Sequence, residues 1–168
     1  MRLAVISDIH GNCLALEAVL EDIARRGVDL TVNLGDLVSG PIEPRRTAEL
    51  LIGLDLPTLA GNHERYLTTY AVEKLSAVDR FAMGELDAAH LAWMGHLPKT
   101  QVIADEVFMC HGTPSEDHTP WLENWFHDRN VTLPDEAAVT AVAQGVDYPM
   151  YSAAIPMKRA RRGCATGD

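Results

Sequence analysis

Cysteine, basic charge and long apolar runs are all scarce in this chain of 168 residues. The three cysteines, Cys13, Cys110 and Cys164, are scattered and odd in number. They form neither a disulfide framework nor a zinc-ribbon spacing, and the expectation is a reducing, cytoplasmic setting. No apolar run reaches the ~18 residues of a membrane helix, so no membrane partner is expected. The opening stretch, Met1 to Ser7, has one charge and leads straight into Asp8, which reads as a buried strand rather than a secretion signal. Lys and Arg number 14 against 24 Asp and Glu, a net charge of −10. That balance argues against a stable nucleic-acid partner. Histidine is unevenly placed as well: none of the seven follows His127.

The length fits one domain with a real core. Residues 2–7 form a continuous apolar run, suited to a strand covered on both faces. Asn12 is a plausible N-cap for a helix whose stripe is Leu16, Val19, Leu20 and Ile23, with Gly27 as its stop. Leu30–Leu34 reads as a second strand, Arg45–Leu54 as a helix and Pro57–Ala60 as a third strand. This alternation predicts right-handed crossovers and a parallel sheet. Residues 64–96 read as mostly helical. Gln101–Ala104 and Val107–Cys110 read as a hairpin, Trp121–His127 and Asp135–Gln144 as short helices, and Tyr148–Tyr151 as the start of a further strand.

Four short motifs close these apolar runs: Asp8-x-His10, Gly35-Asp36, Gly61-Asn62-His63-Glu64 and His111-Gly112. Residues two apart in an extended segment share a side, so Asp8 and His10 can reach one cation together. Asp36 offers two oxygens and can bridge two cations. Taken singly, each has a plain alternative: a turn, a helix cap, a solvated loop or a buried structural histidine. Their order along the chain favours ligands delivered to one sheet edge. A metal pair about 3.5–4 Å apart activates water and clamps phosphate for in-line attack.

Across roughly residues 1–151 the motif set resembles the calcineurin-like metallophosphoesterases. The resemblance implies an α/β fold, an αββα sandwich of two mixed sheets flanked by helices. It implies two divalent metal ions, with manganese, iron, zinc, nickel or cobalt all compatible with mixed oxygen and imidazole ligands. Asp8, His10 and Asp36 would hold the first, and Asp36, Asn62 and His111 the second. Metal-activated hydroxide would attack a phosphodiester or phosphomonoester, while His63 serves as the catalytic residue that protonates the leaving oxygen or stabilises its charge. Asn12, Arg65 and His118 are candidate substrate contacts, with Tyr66, Asp117 and Trp121 weaker ones. Glu64, where many relatives carry Asp, is expected to matter little. His90, His96 and His127 read as ordinary helix residues. The acidic body suits a small phosphorylated substrate.

The family pattern continues with Gly-His-x-His after a strand expected near Tyr148–Tyr151. Here that stretch reads Ser152-Ala153-Ala154-Ile155-Pro156-Met157-Lys158, and residues 152–168 form a basic tail with Lys158, Arg159, Arg161 and Arg162. Codons exist for residues 153–158 that, read one frame away, encode Gly-His-Thr-His-Glu. The tail is therefore read as out-of-frame, with the second sheet left incomplete, each metal short of one imidazole, and an open edge that invites self-association. The rival reading is a catalytically impaired or non-enzymatic relative that binds metal or a phosphorylated ligand.

Overall fold

The structure, a computed structural model, describes residues 1–121, 124–125, 131–143, 145–148 and 150–153. It is an α/β sandwich. Strand β1 (Leu3–Ile6) runs parallel to β2 (Leu30–Asn33), with Leu3 opposite Leu30 and Ile6 opposite Asn33. Helix α1 (Cys13–Arg26) makes the crossover. Asn12 caps it by accepting the Ala15 N–H at 3.1 Å, and Gly27, at φ 59°, ends it in the left-handed conformation that glycine adopts without strain. Helix α2 (Pro44–Leu54) starts with proline in its first turn, where a missing N–H costs nothing.

The expected third strand shrinks to a single parallel bridge between Asn33 and Thr58. Pro57 has no N–H to give, and its carbonyl accepts from Asn33 while Leu59 donates to the Asn33 carbonyl. Gly61 already leads into α3 (Asn62–Thr69). The helical stretch then continues as a 3₁₀ turn (Val72–Lys74), α4 (Ala77–Glu85) and α5 (Ala88–His96). His90 belongs to the N-terminal cap of α5 with Asp87, and His96 lies in its last turn.

Strands β3 (Thr100–Ile103) and β4 (Val107–Cys110) form the expected hairpin. Ala104 and Asp105 both adopt positive φ, the pair of left-handed residues that a tight hairpin turn demands. Beyond them, β5 (Asn124–Trp125) pairs antiparallel with β6 (Val131–Thr132), helix α6 spans Glu136–Val142, and β7 (Met150–Ala153) runs parallel to β4. The second sheet thus has three described strands and is mixed, whereas the first is parallel. Residues 154–168, with the rest of the basic tail, and His127 lie outside the described residues. The helix expected over Trp121–His127 is corrected: Asn124 and Trp125 are in a strand, because pairing with β6 overrides a helical apolar spacing.

Strand β4 shows how the layers form. Its alternate residues Val107 and Met109 join Val32, Leu34 and Leu59 between the sheets. The intervening Phe108 and Cys110 face the other way, onto Trp121 and α6. Helices α1 to α5 cover the far side of the first sheet through Leu16, Leu51, Leu67, Met83 and Met94, with Leu37 of the loop after β2 among them. This gives the helix–sheet–sheet–helix layering. One expectation fails here: β1 is not covered on both faces, since Val5 remains 43% exposed. Among the described residues, grooves lined by β1 and α1 flank it. No described helix is long and apolar enough to cross a membrane.

Candidate metal centre

The loops that leave β1 and β2 are stitched together by backbone hydrogen bonds of 3.0 Å, from Asp8 N–H to the Gly35 carbonyl, His10 N–H to Asp36 and Gly11 N–H to Leu37. Asp8, His10 and Asp36 all take left-handed φ values, 54°, 50° and 56°. Such conformations cost on the order of 1–3 kcal/mol each in non-glycine residues and persist only where the surroundings enforce them. Asp8 and His10 therefore converge through two tight turns, not through the alternation of an extended segment.

Glu64 supplies much of the enforcement. It is fully buried on α3, and its carboxylate accepts from Asp36 N–H (2.8 Å), Leu37 N–H (2.9 Å) and Gly61 N–H (2.9 Å). Burial and the nearby Asp36 charge raise its carboxyl pKa, against which the three amides work. The Asp36 carboxylate meanwhile accepts the His63 backbone N–H at 3.1 Å. Gly61 is needed for space: a Cβ there would stand 2.2 Å from Asp36 Oδ1.

Two imidazoles are oriented by carbonyls. His10 Nδ1 donates to the Ser39 carbonyl at 2.9 Å, and His111 Nδ1 to the Leu34 carbonyl at 2.8 Å. Each Nε2 is thereby turned inward, the arrangement that presents a lone pair to a metal. Asp36 Oδ2 lies between them, 3.8 Å from His10 Nε2 and 3.4 Å from His111 Nε2. Asp8 Oδ1 is 3.9 Å from His10 Nε2, while Asp8 Oδ2 takes the Ser7 hydroxyl. The ligand atoms form two compact groups sharing Asp36: Asp8, Asp36 and His111, and His10, Asp36 and His63. The expected trio of Asp8, His10 and Asp36 is also drawn together, through His10 Nε2 at 3.9 and 3.8 Å from the two carboxylates, and His63 lies close enough to join the His10 side.

The donor set fits a divalent cation. Asp8 Oδ1, His10 Nε2 and Asp36 Oδ2 are buried with no hydrogen-bond partner, a costly state that a cation would relieve. The Asn62 amide joins them: one end lies 3.3 Å from both His111 Nε2 and the Asp117 carbonyl, so it faces two acceptors. It can donate there with its nitrogen or offer its oxygen to a cation. Without metal, burial opposes a charge on His111, yet the Asp36 carboxylate beside it pushes the imidazole up to about 9. Burial would raise Asp36, but the His111 and His63 imidazoles hold it below the ordinary carboxylate range. Burial raises Asp8.

The candidate substrate contacts divide. Arg65 is gripped by Asp117 through two hydrogen bonds, 2.6 and 2.7 Å, and its guanidinium lies over the Tyr66 ring at 4.8 Å. A cleft of about 280 Å³ opens beside His111, lined also by Arg65, Lys99, Thr113, Asp117 and His118. Asn12 is engaged as the α1 cap. Trp121 is corrected from a substrate-facing residue to core: it is 4% exposed, and its indole N–H donates to the Val139 carbonyl at 3.1 Å.

One residue near the centre carries no motif. Asp79, 2% exposed on α4, sets Oδ1 2.7 Å from His63 Nδ1. Burial works to raise its carboxyl, but His63 and Ser76 hold it well below the usual range. Burial likewise opposes charge on His63, but the Asp79 contact together with the nearby Asp36 and Glu64 charges outweighs it, raising the imidazole. Its only trace in the sequence is the capping spacing Ser76-x-x-Asp79, which points to a helix start and not to a site.

Clustered carboxylates and imidazoles sharing one aspartate, beside the strand ends of an α/β sandwich, are a donor set suited to a pair of divalent cations. The calcineurin-like phosphoesterase profile matches residues 1–155, and the chain belongs to that family. An uncharacterized protein from Methanocaldococcus jannaschii, MJ0912, is 45% identical over 62 residues, 37% of this chain and 26% of that protein. A metallophosphoesterase from Sphaerobacter thermophilus is 32% identical with a TM-score of 0.60, over 73% of this chain and 52% of that one. The hypothetical protein PH1004 from Pyrococcus horikoshii shares the fold, with a TM-score of 0.75 at 20% identity, over 92% of this chain and 69% of that one. The chain thus spans about half the length of the Sphaerobacter protein and its match about a quarter of the Methanocaldococcus one.

Proposed function

We propose that the chain is a metal-dependent phosphoesterase that hydrolyses a small phosphorylated molecule, with water as nucleophile and no phosphorylated protein intermediate. The observation that carries this reading is Asp36, whose carboxylate is shared by two ligand groups while its Oδ2 has no hydrogen-bond partner. Asp8, His10, Asp36, Asn62 and His111 would hold two divalent cations, which when bound supply an activated water and neutralise the phosphate oxygens. His63 stands at the edge of the same centre, near His10 and Asp36. From there it donates a proton, or a hydrogen bond, to the departing oxygen. Lys99 and His118 give the adjoining cleft basic groups for an anionic substrate, and Asp117 holds Arg65 beside them. A putative diadenosine tetraphosphatase is 28% identical with a TM-score of 0.55, over 81% of this chain and 65% of that one. Phosphoanhydride-bearing nucleotides are accordingly the first natural substrates to assay.

The test is hydrolysis of bis(p-nitrophenyl) phosphate by the manganese-loaded chain, with Asp36→Ala and His63→Ala alongside. Turnover in the wild type and loss of about a hundredfold or more in each variant supports the reading. In ¹⁸O-labelled water a single turnover should place the label in product phosphate. A chain that binds manganese yet hydrolyses nothing would instead be the non-enzymatic relative, and a trapped phosphoprotein would exclude water as nucleophile.

A further inference from the structure

We propose that Asp79 is a positioning residue for His63, fixing the imidazole proton on Nδ1 and turning Nε2 toward the metal centre. As a statement about hydrolysis it rests on the functional reading above; as a statement about the ring it does not. Asp79 and His63 are 16 residues apart, on α4 and α3, and their contact of 2.7 Å is largely buried. The two carboxylate oxygens have separate duties. Oδ2 accepts the Ser76 backbone N–H at 3.3 Å and the Ser76 hydroxyl, while the Ser76 oxygen accepts the Asp79 N–H at 3.1 Å. That reciprocal cap locks the rotation of the carboxylate. Oδ1 is left for the imidazole.

An ionised carboxylate only accepts, so Nδ1 must carry the hydrogen. A His63 ring nitrogen lies within 4.8 Å of ligand atoms of His10 and Asp36. With Nδ1 engaged by Asp79, Nε2 is the nitrogen available to the centre. The ring is also braced edge-on by His10, at 5.2 Å between centroids, and by Tyr66, at 5.5 Å. Helix capping alone accounts for Oδ2 but leaves Oδ1 unexplained. Direction of a histidine by a buried aspartate is a recurrent device for selecting the tautomer that reacts.

The same geometry specifies the informative substitution. In Asp79→Asn, the Ser76 N–H still requires an acceptor, so the amide oxygen takes the Oδ2 place. The amide NH₂ then faces His63 Nδ1, which must accept, and the ring proton moves to Nε2. Nitrogen-15 NMR of the metal-free protein at pH 8 to 9 should report the Nδ1–H tautomer of His63 in the wild type and the Nε2–H tautomer in Asp79→Asn. In the manganese-loaded protein, Asp79→Asn should lower kcat about a hundredfold for esters with alkyl leaving groups. The loss should be smaller for p-nitrophenyl esters, which need no proton, with KM changed less than about threefold. Ser76→Ala, which removes the hydroxyl half of the lock but keeps the backbone N–H on Oδ2, should keep the wild-type tautomer and lose less kcat than Asp79→Asn. An Nε2–H tautomer in the wild type would overturn the proposal even if Asp79→Asn did not fold. So would an Asp79→Asn protein that keeps both the Nδ1–H tautomer and the wild-type kcat. If the wild type hydrolyses no phosphoester, the functional reading falls, and the NMR comparison still decides the assignment of Asp79.

Discussion

Asp8, His10, Asp36, Asn62 and His63 follow the first sheet and its Asn33–Thr58 bridge, and their loops are joined by three backbone hydrogen bonds and the three-way grip of Glu64. His111 alone arrives from the second sheet, where its described hydrogen bond to the other half is the one to the Leu34 carbonyl. Its place is otherwise set by the packing of Val107 and Met109 against Val32, Leu34 and Leu59. The first side of the centre is thus defined by directional polar bonds, and the second by apolar contact between layers. Polar bonds fix atoms within tenths of an ångström, whereas apolar packing tolerates small slides. The two sides should respond differently to perturbation.

The sharpest break in that contrast is Glu64→Gln. An amide keeps one acceptor oxygen and sets its NH₂ against a backbone N–H. About 3 kcal/mol of stability should be lost, read as a lower urea midpoint at unchanged slope, together with weaker manganese binding. A loss under about 1 kcal/mol would show that the stitched loops hold without the clamp. On the opposing side, metal must displace the proton that His111 holds up to about 9. The proton competes at lower pH, so manganese affinity should rise as pH increases from 6 to 8. The slope expected is about tenfold per unit for each proton displaced, measured by titration at fixed ionic strength. A His111→Asn variant should show a shallower slope; an unchanged slope would remove His111 from the ligand set. The smallest effect is expected where Arg65 on α3 reaches across to Asp117. Burial would raise the Asp117 carboxyl, but Arg65 keeps it below the model-peptide value of 3.8. Its contribution is therefore full above that value and disappears as pH falls through the lower folded one. Asp117→Asn should cost about 1 kcal/mol at pH 7, and the gap from wild type should narrow below pH 4 in denaturation curves.

Much of this was legible in the sequence for a physical reason. The α1 caps, the hairpin before His111 and the order of the strand-end motifs are local patterns and survive as written; of the α1 stripe Leu16, Leu20 and Ile23 pack into the core, whereas Val19 is exposed beside the uncovered face of β1. Asp36, His10 and His111 do converge, although the grouping of Asp8 with His111 is set by turns whose left-handed φ values no spacing rule announces. Glu64 reads as a conservative exchange and turns out to brace three amides, because its carboxylate lies under the centre and not at it. Asp79 was invisible for a related reason: its meaning depends on how α4 packs beside α3, a relation made in space and not along the chain. The strand at Asn124–Trp125 likewise reflects pairing with Val131–Thr132, a cross-strand relation that apolar spacing along one segment does not encode.

The carbonyls of Leu34 and Ser39 that hold His111 and His10 belong to the main chain. No side-chain replacement can delete them. Substitution at the ligands can empty the centre, but the angle at which each ring enters is inherited from loop geometry. Exchanging a ligand can change which cation is preferred, but the entry angles of these two rings should drift more slowly among descendants of this chain than the residues that contact substrate.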